Sequence, residues 1–233
     1  MTRVIFDIET AGTDFEALDP ATQEYLLRWA DSDEEEVRVR ESLSFYPLTG
    51  EIIAIGMLNP DSHKGVVYFQ TPRELLLPFE ENGIRFEAGS EREIIEKFWS
   101  AVKGYNSFVT FNGRSFDCPF IMVRSAVHKV RPTRDLMPNR YNGPHIDLMD
   151  QLSFFGASRR RFPLDMWCKT FGIKSPKAEG ITGYDVKDLF RSGKYIEIAR
   201  YCAGDLRATK ELLAVWEEFI RFPPRQDIAR IPT

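Results

Sequence analysis

Close to its start, the chain places two carboxylates in a run otherwise suited to the interior of a sheet. Arg3-Val4-Ile5-Phe6-Asp7-Ile8 is rich enough in β-branched and aromatic residues to predict a strand. Side chains alternate along a strand, so Asp7 and Glu9 fall on one face. Two like charges on one face are unfavourable unless a cation neutralises them. Hard carboxylate oxygens suit Mg²⁺ or Mn²⁺. Taken alone, the pair also fits a solvated or salt-bridged strand end.

Two later segments carry acidic residues at telling places. In Phe111-Asn112-Gly113-Arg114-Ser115-Phe116-Asp117-Cys118-Pro119-Phe120, an apolar strand ends, a glycine-containing turn follows, and Asp117 opens the next helix. An acid there can also serve as a cap or as a complement to the helix dipole. Phe116 and Phe120 would pin its carboxylate in either role. Tyr201 and Asp205 lie four apart on the longest predicted helix, and hence on one face beside Ile198, Cys202 and Leu206. A Tyr–Asp surface pair, or a pair with Arg207, is the structural alternative.

Other metal and redox chemistries find no support. The three cysteines (Cys118, Cys168, Cys202) are far apart and form no CxxC pair, which argues against a zinc cage or a disulfide framework. They read as reduced, buried thiols of a cytoplasmic protein. The three histidines (His63, His128, His145) form no HExxH-like cluster. No apolar run approaches the roughly eighteen residues a membrane span needs, and no leader peptide is legible. With 43% hydrophobic and 28% charged residues over 233 positions, the chain can build the core of one elaborated domain, residues 1–233.

The net charge of −4 conceals an uneven distribution. The stretch from 11 to 45 is acidic and includes Asp33-Glu34-Glu35-Glu36, whereas 124–169 is basic and includes Arg159-Arg160-Arg161. Each run reads either as a solvated face, or as an acidic insertion held away from a ligand and a basic rim facing a polyanion. Turn signals and periodicity predict strands at 51–58, 65–70 and 107–111. They predict helices at about 20–30, 91–102, 116–128, 164–171, 186–191 and 194–220. Residues 145–153 read as a strand or strand-like segment, and the tail from Phe222 as extended. Strands first, then strand–helix units, then helices: this order fits an α/β fold with a mixed sheet and helices on its faces.

Taken together, VIFDIET at 4–10, NGRSFDCPF at 112–120 and YCAGD at 201–205 form an ordered set of three motifs. The set resembles the tyrosine-containing branch of the DEDD 3′–5′ exonucleases, most closely the proofreading domain of family-B DNA polymerases. Asp147 in His-Ile-Asp-Leu, Leu164-Asp165 and Val186–Phe190 extend the likeness to roughly residues 1–215, apart from the acidic stretch. The resemblance implies a ribonuclease-H-like mixed β-sheet flanked by α-helices. It also implies two divalent ions, Mg²⁺ or Mn²⁺, held by Asp7, Glu9, Asp117 and Asp205, with Tyr201 positioning the attacking water. Single-stranded nucleic acid with a free 3′ end would be the partner, DNA ahead of RNA. Thr10, Asn112 and Phe116 would lie near it, and Arg159, Arg160 and Arg161 would contact its phosphates. Phe111, Phe154, Phe155 and Phe162 are core residues or base-stacking platforms. The acidic insertion would restrict the 3′-end pocket or dock a protein partner. Three rival readings remain: a non-catalytic nucleic-acid-binding module, a ribonuclease D-like RNA exonuclease, and a metal-free acid–base hydrolase acting on sugars.

Overall fold

The first three strands follow one another as antiparallel neighbours, as their turn-separated apolar runs predict. They are β1 (Arg3–Gly12), β2 (Gly50–Leu58) and β3 (Gly65–Gln70). The computed structural model describes residues 2–72, 77–175 and 185–222. Within these, β4 (Phe79–Glu81), β5 (Ile84–Gly89), β6 (Ser107–Thr110) and β7 (His145–Asp147) complete a seven-stranded sheet. Its order is β4-β5-β3-β2-β1-β6-β7, with β6 and β7 parallel to β1 on one side and β5 parallel to β3 on the other.

The helices are α1 (Pro20–Leu27), α2 (Asp33–Glu41), α3 (Glu91–Val102), α4 (Asp117–Val127), α5 (Leu148–Leu152), α6 (Leu164–Phe171), α7 (Val186–Arg191) and α8 (Tyr195–Val215). Two core layers result. Val4, Phe6 and Ile8 of β1 pack with Ile94, Phe98 and Trp99 of α3 and with Phe120 and Ile121 of α4. Ile5 and Ala11 join Leu148, Val186, Ile198 and Leu206 from α5, α7 and α8 on the other face. Alternation along β1 therefore sends Asp7 and Glu9 into the α8 layer.

Local signals explain most boundaries. Asp19 accepts from the Thr22 N–H with Pro20 at the first position of α1. Ser90 and Glu93 form a reciprocal capping box at α3. Gly172 and Gly193, at φ +70° and +73°, follow α6 and α7.

Four expectations need correction. β1 runs on to Gly12 because β2 pairs with it that far. The acidic run from Asp33 starts α2, where four acids complement the helix dipole behind the Ser32 cap. The 145–153 segment is strand only to Asp147, whose carboxylate accepts the Met149 N–H and starts α5. Part of the basic stretch serves the fold rather than a rim. Arg124 makes a two-pronged pair with buried Glu91, and Arg140 pairs with Asp150. The extended tail from 223 onward lies outside the described residues.

Candidate active site

β1 carries the first two acids to the point where its neighbour leaves it. β6 pairs with β1 only at Arg3, Val4 and Ile5. Beyond Ile5 the edge is open, and Asp117 fills it: its Oδ1 accepts the Ile8 N–H at 3.0 Å. Asp117 is brought there by a tight turn after β6. Asn112 adopts a left-handed backbone at φ +64°. At Gly113 an added Cβ would fall 2.5 Å from the Thr110 side chain, so only glycine fits. Asp147 secures the turn by accepting the N–H groups of Asn112 (2.8 Å), Arg114 (2.9 Å) and Met149 (3.0 Å).

α8 closes the site from above the sheet. Its approach depends on Gly56, the β2 residue paired with Asp7. A Cβ on Gly56 would sit 2.7 Å from both Cys202 Sγ and Leu206 Cδ1. With no side chain there, α8 beds directly onto β2, which sets Tyr201 and Asp205 over β1. A register shift between Glu9 and Thr10 places Ile53 and Ala54 in the same core layer, a bulge next to the acids.

The electrostatics are those of crowded, desolvated anions. Burial, then the charge of Asp117, pushes the Asp7 carboxyl well above the usual carboxylate range, with Asp205 and Glu9 adding to it. Burial, then Asp205, does the same to Glu9. Asp117, 3% exposed, is raised to about 7 by burial, against the hydrogen bonds its ionised form accepts. Tyr201 is raised by burial and then by Asp205, Glu9 and Asp7, so its phenol stays protonated.

The donor set suits a hard cation. Asp7, Glu9 and Cys202 each offer a ligand atom, all within 4.8 Å of one another. Glu9 Oε1 is buried and accepts no hydrogen bond. A buried carboxylate oxygen without a partner is costly, and a divalent ion removes that cost. The Cys202 thiol is pushed up by burial and by Asp7, so the carboxylates are the anionic donors that could hold a cation there.

The other expected residues are placed less uniformly. The Thr10 hydroxyl donates to the Ser44 carbonyl at 2.7 Å, tying β1 to the insertion. Phe116 is half-buried against Phe120, with ring centroids 5.5 Å apart. Arg159, Arg160 and Arg161 are exposed. Arg161 Nη1 donates to Ser115 Oγ at 3.3 Å, two residues before Asp117, while Arg160 covers the Phe162 ring. Gly56 escaped sequence reasoning because a glycine inside a strand does not say which helix lies above it.

Residues 79–213 match the family described as predicted 3′-5′ exonucleases related to the exonuclease domain of PolB. The chain belongs to this family. The matched region includes Asp117, Tyr201 and Asp205; β1, with Asp7 and Glu9, precedes it. Among solved structures, a family B DNA polymerase from the hyperthermophilic archaeon Pyrobaculum calidifontis superposes with a TM-score of 0.59 at 18% identity. The superposition covers 94% of this chain and 24% of that polymerase, so this exonuclease-family chain spans about a quarter of its length. At that identity the likeness concerns the fold, a ribonuclease-H-like mixed sheet between helices. No curated protein matches. Among the described residues, no helix is long and apolar enough to cross a membrane.

Proposed function

We propose that this chain is a single 3′–5′ exonuclease domain acting on single-stranded nucleic acid, DNA in preference to RNA, through two divalent ions. The observation that carries the reading is the partnerless buried Glu9 Oε1 among acids that raise one another's pKa. Asp7, Glu9, Asp117 and Asp205 would hold the ions, Mg²⁺ or Mn²⁺. When bound, such a pair supplies Lewis acidity and a water of lowered pKa for displacement at phosphorus.

This chain's own residues do the rest. Protonated Tyr201 orients the attacking water by hydrogen bonding and does not act as a base. The water oxygen forms a bond to the terminal phosphorus. The bond to the preceding 3′ oxygen breaks as the attacking water gives up a proton to solvent and that oxygen takes one up, releasing a nucleoside monophosphate and a shortened strand. Thr10 offers its backbone to the last nucleotide, Asn112 and Phe116 border it, and Arg159–Arg161 take phosphates. Kinship with a polymerase exonuclease domain supports DNA over RNA. Tyr25 and Trp29, exposed on and just after α1, support the acidic insertion as a docking surface for a protein partner.

The test is a time course on 5′-labelled single-stranded DNA with Mg²⁺ or Mn²⁺, beside EDTA, an Asp7→Asn control and a matching RNA. A metal-dependent ladder shortening from the 3′ end, at least about a hundredfold slower in the variant, is expected. No ladder on either substrate, with binding retained, would make the chain a non-catalytic nucleic-acid-binding module.

A further inference from the structure

A second surface lies at the opposite end of the parallel strands. A groove of about 940 Å³ opens where β6 and β7 begin, bounded by the turn after α5 and the end of α8. Tyr141, Phe154 and Phe222 present their rings there at 66%, 62% and 85% exposure. Arg140 and Arg221 stand beside them, ion-paired to Asp150 and Glu217, and among the described residues no aspartate or glutamate lines the groove itself.

The backbone beneath the rings is held in an unfavourable form. Phe154 and Phe155 take φ +50° and +56°, consecutive left-handed conformations that bulky residues seldom adopt. Hydrogen bonds from the Phe154 N–H to Gln151 O (3.1 Å) and from the Phe155 N–H to Asp150 O (2.7 Å) fix the turn. Phe155 packs against Tyr141, with ring centroids 5.0 Å apart, while Phe154 faces water. The turn thus packs one ring and leaves the other, Phe154, open to a ligand.

The same loop leads back to the acids. From Phe154 it passes through Gly156 to Arg159, Arg160 and Arg161, and Arg161 reaches Ser115 beside Asp117. Aromatic faces and an acid-free lining in the groove, with the exposed guanidinium groups of Arg159, Arg160 and Arg161 along the loop, are what an unpaired strand needs for base stacking and phosphate contact. We propose that this groove is an exosite for the unpaired strand upstream of the 3′ end, with the 156–161 loop as the track between groove and acids. The proposal rests on the exonuclease reading and adds where the body of the substrate lies.

The experiment measures fluorescence anisotropy of 5′-labelled oligothymidylates of four and sixteen nucleotides in EDTA, followed by degradation of both with Mn²⁺. The variant is Tyr141→Ser with Phe154→Asn. Asparagine tolerates the left-handed backbone and both positions are exposed; a melting temperature matching the parent's shows that losing the Tyr141–Phe155 contact leaves the fold intact. The sixteen-mer should bind the variant about tenfold more weakly and its KM should rise in step. The four-mer should be degraded as by the parent. An unchanged sixteen-mer affinity would overturn the exosite while leaving the exonuclease reading intact, and would return the groove to a protein partner. Equal losses for both lengths would overturn it too, because they would place the two rings at the catalytic end. A parent protein that neither binds nor degrades either oligomer would sink the exonuclease reading itself.

Discussion

One oxygen of Asp117 completes the edge of β1 by accepting the Ile8 N–H, while the group as a whole sits among other acids. Without metal, its folded pKa of about 7 stands above the ordinary carboxylate value of 3.8, and Asp7 and Glu9 are raised as well. The folded state therefore binds more protons than the unfolded chain across that interval. Stability must fall as pH rises through it. His145, lowered to about 4 by burial, acts in the opposite sense between that value and 6.5. The clean window is thus pH 6.5 to 8. There the melting temperature of the metal-free protein should drop with rising pH, and saturating Mn²⁺ should flatten the slope and raise the curve. A metal-free melting temperature that is level across this window would contradict the crowding of the acids.

At the scale of elements, the relation between α8 and β2 governs whether the acids meet. Gly56→Ala would force Cβ against Cys202 and Leu206 and lift the helix. A loss of about 1–3 kcal/mol in denaturant unfolding is expected from such overpacking. The fall in kcat should exceed what the unfolded fraction explains, since a displacement of about 1 Å at a reacting centre can cost a hundredfold. A variant destabilised to that degree but fully active would show that the helix shift does not reach Asp205. The same elements show how far a sequence can be read. Period-two and i,i+4 spacing put Asp7 with Glu9, and Tyr201 with Asp205, on one face each; that these faces meet each other and Asp117 was legible only through the resemblance to the exonuclease motif set. Helix starts were legible wherever a side chain caps its own backbone, as at Asp19 and Ser90. The β4–β5 hairpin was missed although Asn82-Gly83, at φ +51° and +76°, is its turn signal. Its three-residue first strand carries too little pattern to be seen. Gly56 and the bonds from the Asn112 and Arg114 N–H groups to Asp147 were out of reach because they join segments distant in the chain.

Across the whole molecule, stability is unevenly shared. β1 and β2 are buried along most of their length, whereas α1 and α2 contain no fully buried residue. The insertion is moored mainly by Phe15 and Leu43, by the Thr10–Ser44 bond, and by Arg40 lying 4.0 Å over the Phe15 ring. Amide hydrogen exchange in α1 and α2 should run well ahead of the central strands, by local opening that leaves the sheet closed. Protection in α1 equal to that in β2 would mean the insertion unfolds only with the rest. The long-range assembly of the site has a further consequence. Asp7 belongs to the first strand and Asp205 to the last long helix, with every strand of the sheet made between them. On the proposed reading, a growing polypeptide lacks the last of the four acids until residue 205 has been made. If the proposed chemistry holds, translation itself would keep the nascent chain harmless to the nucleic acids crowded around the ribosome until α8 has emerged and docked.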